Sequence, residues 1–178
     1  MNKAISERRA YTHPEWTEMI KRRAAEGGAI PSPTGELARA LARKGRLESA
    51  IAELEKVRAL DPNAVDVALE LGEVLCRAGK NEAVLKMAAQ IKAQSSPEKA
   101  HVLMICAWAR RQMGELDAAG LLLTQALALD PESPRILYES GKVHQAQGDV
   151  EKALACYRRA LAEVFADGDA ASSSQKRE

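Results

Sequence analysis

Small and apolar residues recur along residues 31–167 at spacings of three, four and seven. This is the pattern of helices that each bury one stripe of side chains. The pattern is interrupted at four glycines and resumes after each of them: Gly45, Gly79, Gly114 and Gly148. These glycines are 34, 35 and 34 residues apart. A self-similar period of this length predicts one helix–turn–helix unit, stacked on further copies of itself.

The same types of residue surround each glycine. Seven residues before it stands a very small residue: Ala38, Gly72, Ala107 or Gly141. Nine residues after it stands Leu54, Ala88, Leu123 or Tyr157. An acid follows three residues after it, where it favours the positive end of the next helix: Glu48, Glu82, Asp117 or Glu151. The glycine itself fits a helix C′ position, which needs a positive φ, and the small residues allow two antiparallel helices to approach closely.

Prolines close two of the units, in Asp61-Pro62 and Asp130-Pro131, because proline cannot donate the next helical hydrogen bond. Together these residues resemble the tetratricopeptide repeat family, whose units share this length and this glycine, alanine and proline pattern. The resemblance implies an all-α, right-handed superhelical solenoid of stacked antiparallel helix pairs. Four repeats are predicted, at residues 31–64, 65–99, 100–133 and 134–167.

Two repeats depart from the family pattern. The second has Ala88 where the family prefers a large side chain, and it lacks the closing proline at Ser96, since Pro97 comes one residue late. The third carries Arg110 where a bulky aromatic residue is usual. These departures leave the predicted fold class intact and bear on local packing and on the angles between repeats.

Composition narrows the function classes. The 178 residues carry a formal net charge of +1, and residues 31–167 hold 18 basic and 19 acidic residues. This balance argues against a nucleic-acid partner, which normally requires a basic excess. No apolar run reaches membrane-spanning length, and the first 30 residues lack the hydrophobic region of a signal peptide. We therefore predict a cytoplasmic location with no direct membrane insertion.

No residue pattern indicates catalysis. There is no glycine-rich phosphate loop, no pair of histidines at metal-binding spacing and no nucleophile elbow. The cysteines have no metal-like spacing and are predicted to be reduced thiols: Cys76, Cys106 and Cys156. The sequence predicts a protein that is not an enzyme, with no catalytic residue, no cofactor and no metal.

The two ends lie outside the repeats. Residues 1–30 contain an amphipathic pattern at about 14–26, with Trp16 and Ile20 on one face. This predicted helix either caps the first repeat or docks on a second copy or a partner. Residues 168–178 are small and polar, and we predict a disordered tail. No polar capping helix follows the fourth repeat, so Phe165 joins Trp16 and Ile20 as a candidate for self-association and a homo-oligomer.

In such a solenoid the first helix of each repeat faces the concave side. Counting back from each glycine predicts the residues of a partner-binding groove: Arg39, Arg43, Leu69, Glu73, Arg77, Met104, Trp108, Arg111, Tyr138 and Lys142. Trp108 stands out, because the other repeats have a charged residue at its position. Two interpretations stay open: Trp108 is a contact anchor, or it folds onto the adjacent repeat.

The predicted function is a protein–protein interaction module, or adaptor, that binds a peptide or helical segment of a partner protein in this groove. One alternative is a small cytosolic chaperone for an exported or assembly-prone client. It rests on a weak similarity in arrangement, from Trp16 through Gly27-Gly28 into the first repeat, to small bacterial chaperones of secretion-system translocators. A further alternative is a structural subunit of a multimeric assembly.

Overall fold

The computed structural model describes the backbone of residues 33–174 and the side chains of residues 37–165. All regular structure within that range is helical, which confirms the predicted all-α class. The helices are α1 (Pro33–Arg43), α2 (Leu47–Leu60), α3 (Val65–Arg77), α4 (Asn81–Ala88), α5 (Ser96–Gln112), α6 (Leu116–Leu129), α7 (Pro134–Ala146) and α8 (Val150–Ser174). The predicted N-terminal helix at about 14–26, with Trp16 and Ile20, lies outside the described residues.

The chain divides into two compact units, Met1–Ala78 and Gly79–Glu178. In the first unit, α2 packs against both α1 and α3. In the second unit, each helix from α4 to α8 packs against the next, and α5 also contacts α7. The division falls between α3 and α4, which is inside the segment predicted to form the second repeat.

The four glycines that recur with the repeat, called the period glycines below, follow the first helix of each repeat, as predicted. Their φ angles are +74° at Gly45, +72° at Gly79, +82° at Gly114 and +84° at Gly148. A Cβ added at any of these glycines would meet no atom within 4 Å, so backbone conformation rather than lack of space requires glycine. At Gly114 the amide donates to the Arg111 carbonyl at 3.0 Å, and the Glu115 amide donates to the Arg110 carbonyl at 3.0 Å. These two bonds form a Schellman C-cap.

The boundary between α4 and α5 differs from the predicted one at residues 99 and 100. The Ser95 hydroxyl accepts a hydrogen bond from the Glu98 amide at 3.3 Å, and the Glu98 carboxylate accepts one from the Ser95 amide at 3.1 Å. This capping box starts α5 at Ser96 and places Pro97 in its first turn. Pro97 therefore begins a helix instead of closing one late. The preceding helix α4 is short, with only 8 residues, and ends at Ala88.

The last helix is the longest of those described, at 25 residues. It continues to Ser174, into the segment that the sequence predicts to be disordered. Alanines at 166, 170 and 171 favour this extension, since alanine has the highest intrinsic helix propensity.

Each unit has a core of small and aliphatic side chains. Leu54 and Leu71 are among the most buried residues of the first unit, and Ile105, Ile136 and Leu137 are among those of the second. The three cysteines, all within the described residues, form no disulfide: Cys76 is buried, whereas Cys106 and Cys156 are half-buried. Burial raises the pKa of the Cys106 and Cys156 thiols. No helix in the described part of the chain is long and apolar enough to cross a membrane.

Candidate partner-binding cleft

An apolar cleft of about 510 Å³ opens in the second unit, where α5, α7 and α8 meet. Its walls are formed by Met104, Trp108, Pro134, Arg135, Tyr138, Glu139, Tyr157, Ala160, Leu161 and Val164. Three of the ten predicted groove residues, Met104, Trp108 and Tyr138, line this cleft. The structure brings them together because α5 contacts α7 directly.

Residues four apart on α5 contribute different parts of the cleft. Met104 is 2% exposed and lies at the base, whereas Trp108 is half-buried. Tyr138, on the facing helix α7, is 53% exposed at the rim. Residues four apart on a helix share one face, so Met104 and Trp108 present one continuous apolar surface.

Lys142 lies against the aromatic side chains. Its Nζ is 5.0 Å from the centroid of the Trp108 ring and 5.1 Å from that of the Tyr138 ring. Both distances are in the range of cation–π attraction. Trp108 therefore contacts the ammonium group of Lys142 and still lines the cleft.

Glu139 is a buried charge that the sequence interpretation missed. The residue is 5% exposed, and its carboxylate accepts hydrogen bonds from Lys142 Nζ at 2.8 Å and from Arg111 Nη2 at 3.5 Å. Two cations therefore offset one buried carboxylate. The Nε of Arg111 is buried and has no hydrogen-bond partner among the described residues. The signal was present in the repeat, since Glu36, Glu70 and Glu139 each stand nine residues before a period glycine.

Tyr157 was also missed, because only first helices were counted toward the groove. Its ring centroid is 5.5 Å from that of Tyr138, with the planes tilted by 44°. Its hydroxyl donates a hydrogen bond to Gln145 Oε1 at 2.9 Å. Burial, followed by the nearby Tyr138 and Glu139, raises the pKa of Tyr157. These contacts hold the phenol ring as a wall of the cleft.

Five of the predicted groove residues belong to the first unit. Two of the arginines among them have a partner within that unit. Arg39 forms an ion pair with Glu70 at 2.8 Å, and Arg77 Nη2 donates to the Ala42 carbonyl at 2.7 Å. Leu69 is only 7% exposed, so it belongs to the core and offers little contact surface. The remaining two are the exposed Arg43 and the half-buried Glu73.

Sequence comparison identifies the class to which this fold belongs. A family model described as tetratricopeptide repeat matches residues 35–109 and 110–176. The chain therefore belongs to the tetratricopeptide repeat family, as the sequence predicts, and is a protein–protein interaction module. No curated protein matched the sequence.

Solved structures with the same fold include TTC0263, a thermophilic tetratricopeptide repeat protein of Thermus thermophilus. It is 24% identical, with a TM-score of 0.65, over 86% of this chain and 84% of that chain. MamA from Desulfovibrio magneticus RS-1, from residue 41 to its end, is 22% identical, with a TM-score of 0.57, over 92% and 93%. At these identities the similarity shows the fold alone.

Proposed function

We propose that the second unit binds a segment of a partner protein in the cleft between α5, α7 and α8. The observation that carries the proposal is a pocket of about 510 Å³ with three aromatic side chains, Trp108, Tyr138 and Tyr157, in its walls. Aromatic rings supply a large contact area and lose little conformational entropy on binding. An open apolar pocket with a few polar groups is the usual form of a binding site.

The charges around the cleft indicate the chemistry of the segment. Arg135 lies in the lining, and Arg111 and Lys142 both contact Glu139. Arg111 and Lys142 share the single Glu139 carboxylate, so two cations meet one anion and leave this part of the rim positive. An apolar segment with an acidic residue beside its anchor would complement this rim.

The test begins with a peptide selected from a random library on the full chain. Its affinity is then measured by isothermal titration calorimetry for the wild type and for Trp108→Ala. A true anchor should lose about 2 kcal/mol, or roughly 30-fold in affinity. Leu121→Ala is the matched control, because Leu121 is 63% exposed on α6 and does not line the cleft.

A folded Trp108→Ala variant that keeps wild-type affinity would show that the cleft is not the site. Circular dichroism of each variant establishes whether it is folded.

The proposed charge complementarity between the rim and the peptide is tested separately. Replacing the acidic residues of the selected peptide by alanine should weaken binding to the wild type, and the loss should diminish at high salt.

A further inference from the structure

The helix α8 exposes a regular row of apolar side chains. Val150 is 61% exposed, Leu154 48%, Leu161 57% and Val164 53%. With the half-buried Tyr157 between them, these residues follow one another at spacings of four, three, four and three. We call this row the α8 seam: Val150, Leu154, Tyr157, Leu161 and Val164.

The seam is exposed because the described part of the chain places no further helix beside α8. Ile51 on α2 and Leu154 on α8 both stand six residues after a period glycine. Ile51 is 5% exposed and Leu154 is 48% exposed. The following helix, α3, packs against α2, whereas no helix follows α8 in the described part of the chain. Within residues 33–174, the seam is therefore a helix-packing surface that no helix covers.

The spacing of the seam indicates what would cover it. Apolar residues alternating at three and four give a period of 3.5, the pattern by which two similar helices pack along their length. From this spacing and the flanking charges, we propose that the α8 seam packs antiparallel against the α8 seam of a second copy of this chain. Such a pair has two-fold symmetry, so each copy uses the same surface.

The flanking charges favour the antiparallel arrangement. Glu151 and Arg158 are both exposed, and each follows a seam residue, Val150 or Tyr157. With Leu154 facing Tyr157 of the second copy, Glu151 comes beside Arg158 of the second copy, and the pairing occurs twice. In a parallel, in-register pair, Arg158 would lie beside Ala153 of the second copy, which offers no charge, and Glu151 would have no α8 residue beside it because the helix begins at Val150. Charge complementarity therefore supports one orientation.

The pair shares part of its surface with the cleft. Leu161 and Val164 line the cleft as well as the seam, so a second copy and a bound partner segment would draw on the same wall. The pairing does not depend on the proposed function, because it rests on the exposure, spacing and charges of α8. Phe165, 69% exposed beside Val164, would extend the interface.

Sedimentation equilibrium of the full chain tests the pairing. The wild type should shift from the mass of one chain to the mass of two as its concentration rises. Glu151→Arg alone or Arg158→Glu alone places like charges together twice and should weaken the dimer at least about tenfold. The Glu151→Arg, Arg158→Glu double variant restores opposite charges and should regain wild-type affinity.

Two leucine variants separate the seam from general exposure. Leu154→Glu should abolish the dimer, whereas Leu121→Glu, at a leucine that is at least as open on α6, should leave it intact. Both side chains are exposed, so neither change removes core packing. A wild type that stays monomeric at high micromolar concentration overturns the proposal. So does a double charge variant that associates no better than the single ones.

Discussion

The two units use the same repeat position for an acid, and the two acids meet different surroundings. Glu70 in the first unit pairs with Arg39, whose side chain is 63% exposed, and its own side chain is 22% exposed. Burial raises the pKa of Glu70 and outweighs the attraction of Arg39. Glu139 in the second unit is more deeply buried and contacts two cations. Glu70 and Glu139 thus share a repeat position, while the neighbouring helices determine whether the charge there is stabilised.

A second pair of equivalent positions shows the same contrast in packing. The first unit has Ala38 seven residues before its glycine and Leu54 nine after, and both are fully buried. The last repeat has Gly141 and Tyr157 at these positions. A Cβ on Gly141 would overlap the edge of the Tyr157 ring. The larger aromatic ring therefore requires the smaller residue beneath it.

The largest expected effect comes from removing this compensation. Gly141→Ala should lower the free energy of unfolding by about 3 kcal/mol, because the added methyl group overlaps the Tyr157 ring. Adding Tyr157→Leu creates the alanine–leucine combination of the first unit and should recover most of the loss. Urea denaturation of both variants, with Tyr157→Leu alone as the control, measures this. Equal stability of Gly141→Ala and the wild type would refute the packing argument.

The next effect tests the two acids directly. Glu139→Ala should lower the free energy of unfolding by about 2 kcal/mol, because Lys142 and Arg111 lose their shared carboxylate in a partly buried site. Glu70→Ala should cost less than about 1 kcal/mol, since Arg39 is largely hydrated already. Urea unfolding curves of both variants under the same conditions compare their losses in the free energy of unfolding. Equal losses at the two positions would show that their surroundings do not matter.

The smallest effect is a pH dependence at Glu70. A raised pKa means that the folded state holds the proton more tightly than the unfolded state, so rising pH through this range removes stability. Glu70→Gln cannot ionise, so its stability relative to the wild type should increase as the pH rises from about 4 to 7. Calorimetric melting temperatures across this range measure the difference. A difference that shrinks with rising pH would mean that the pairing with Arg39 outweighs burial.

The sequence was most informative where structure depends on a few adjacent residues. The C′ glycines and the ends of α2 and α6 before Asp-Pro lie where they were predicted, because positive φ and the missing amide of proline act locally. The start of α5 also depends on nearby residues, Ser95 and Glu98, but the family pattern led to the prediction that Pro97 closes a helix. Among the residues that line the cleft, Met104, Trp108 and Tyr138 were predicted as groove residues, and Tyr157 was not.

The residues that were missed or misplaced depend on contacts between helices. Leu69 was predicted as groove surface, although it is only 7% exposed. The charge network of Glu139 requires Arg111 from α5 and Lys142 from α7 to reach the same carboxylate. Helical spacing places a side chain on a face, and only the packing of the next helix decides whether that face is covered.

By itself, the sequence determined the family, the positions of the four glycine turns and the helical register of Trp108. These follow from backbone constraints and from a period that is visible without coordinates. The tertiary structure decided which charges meet at Glu139, why Gly141 has no room for a side chain and which face of α8 is exposed. Such features depend on residues that are distant in sequence, and their burial is set by whichever helix packs beside them.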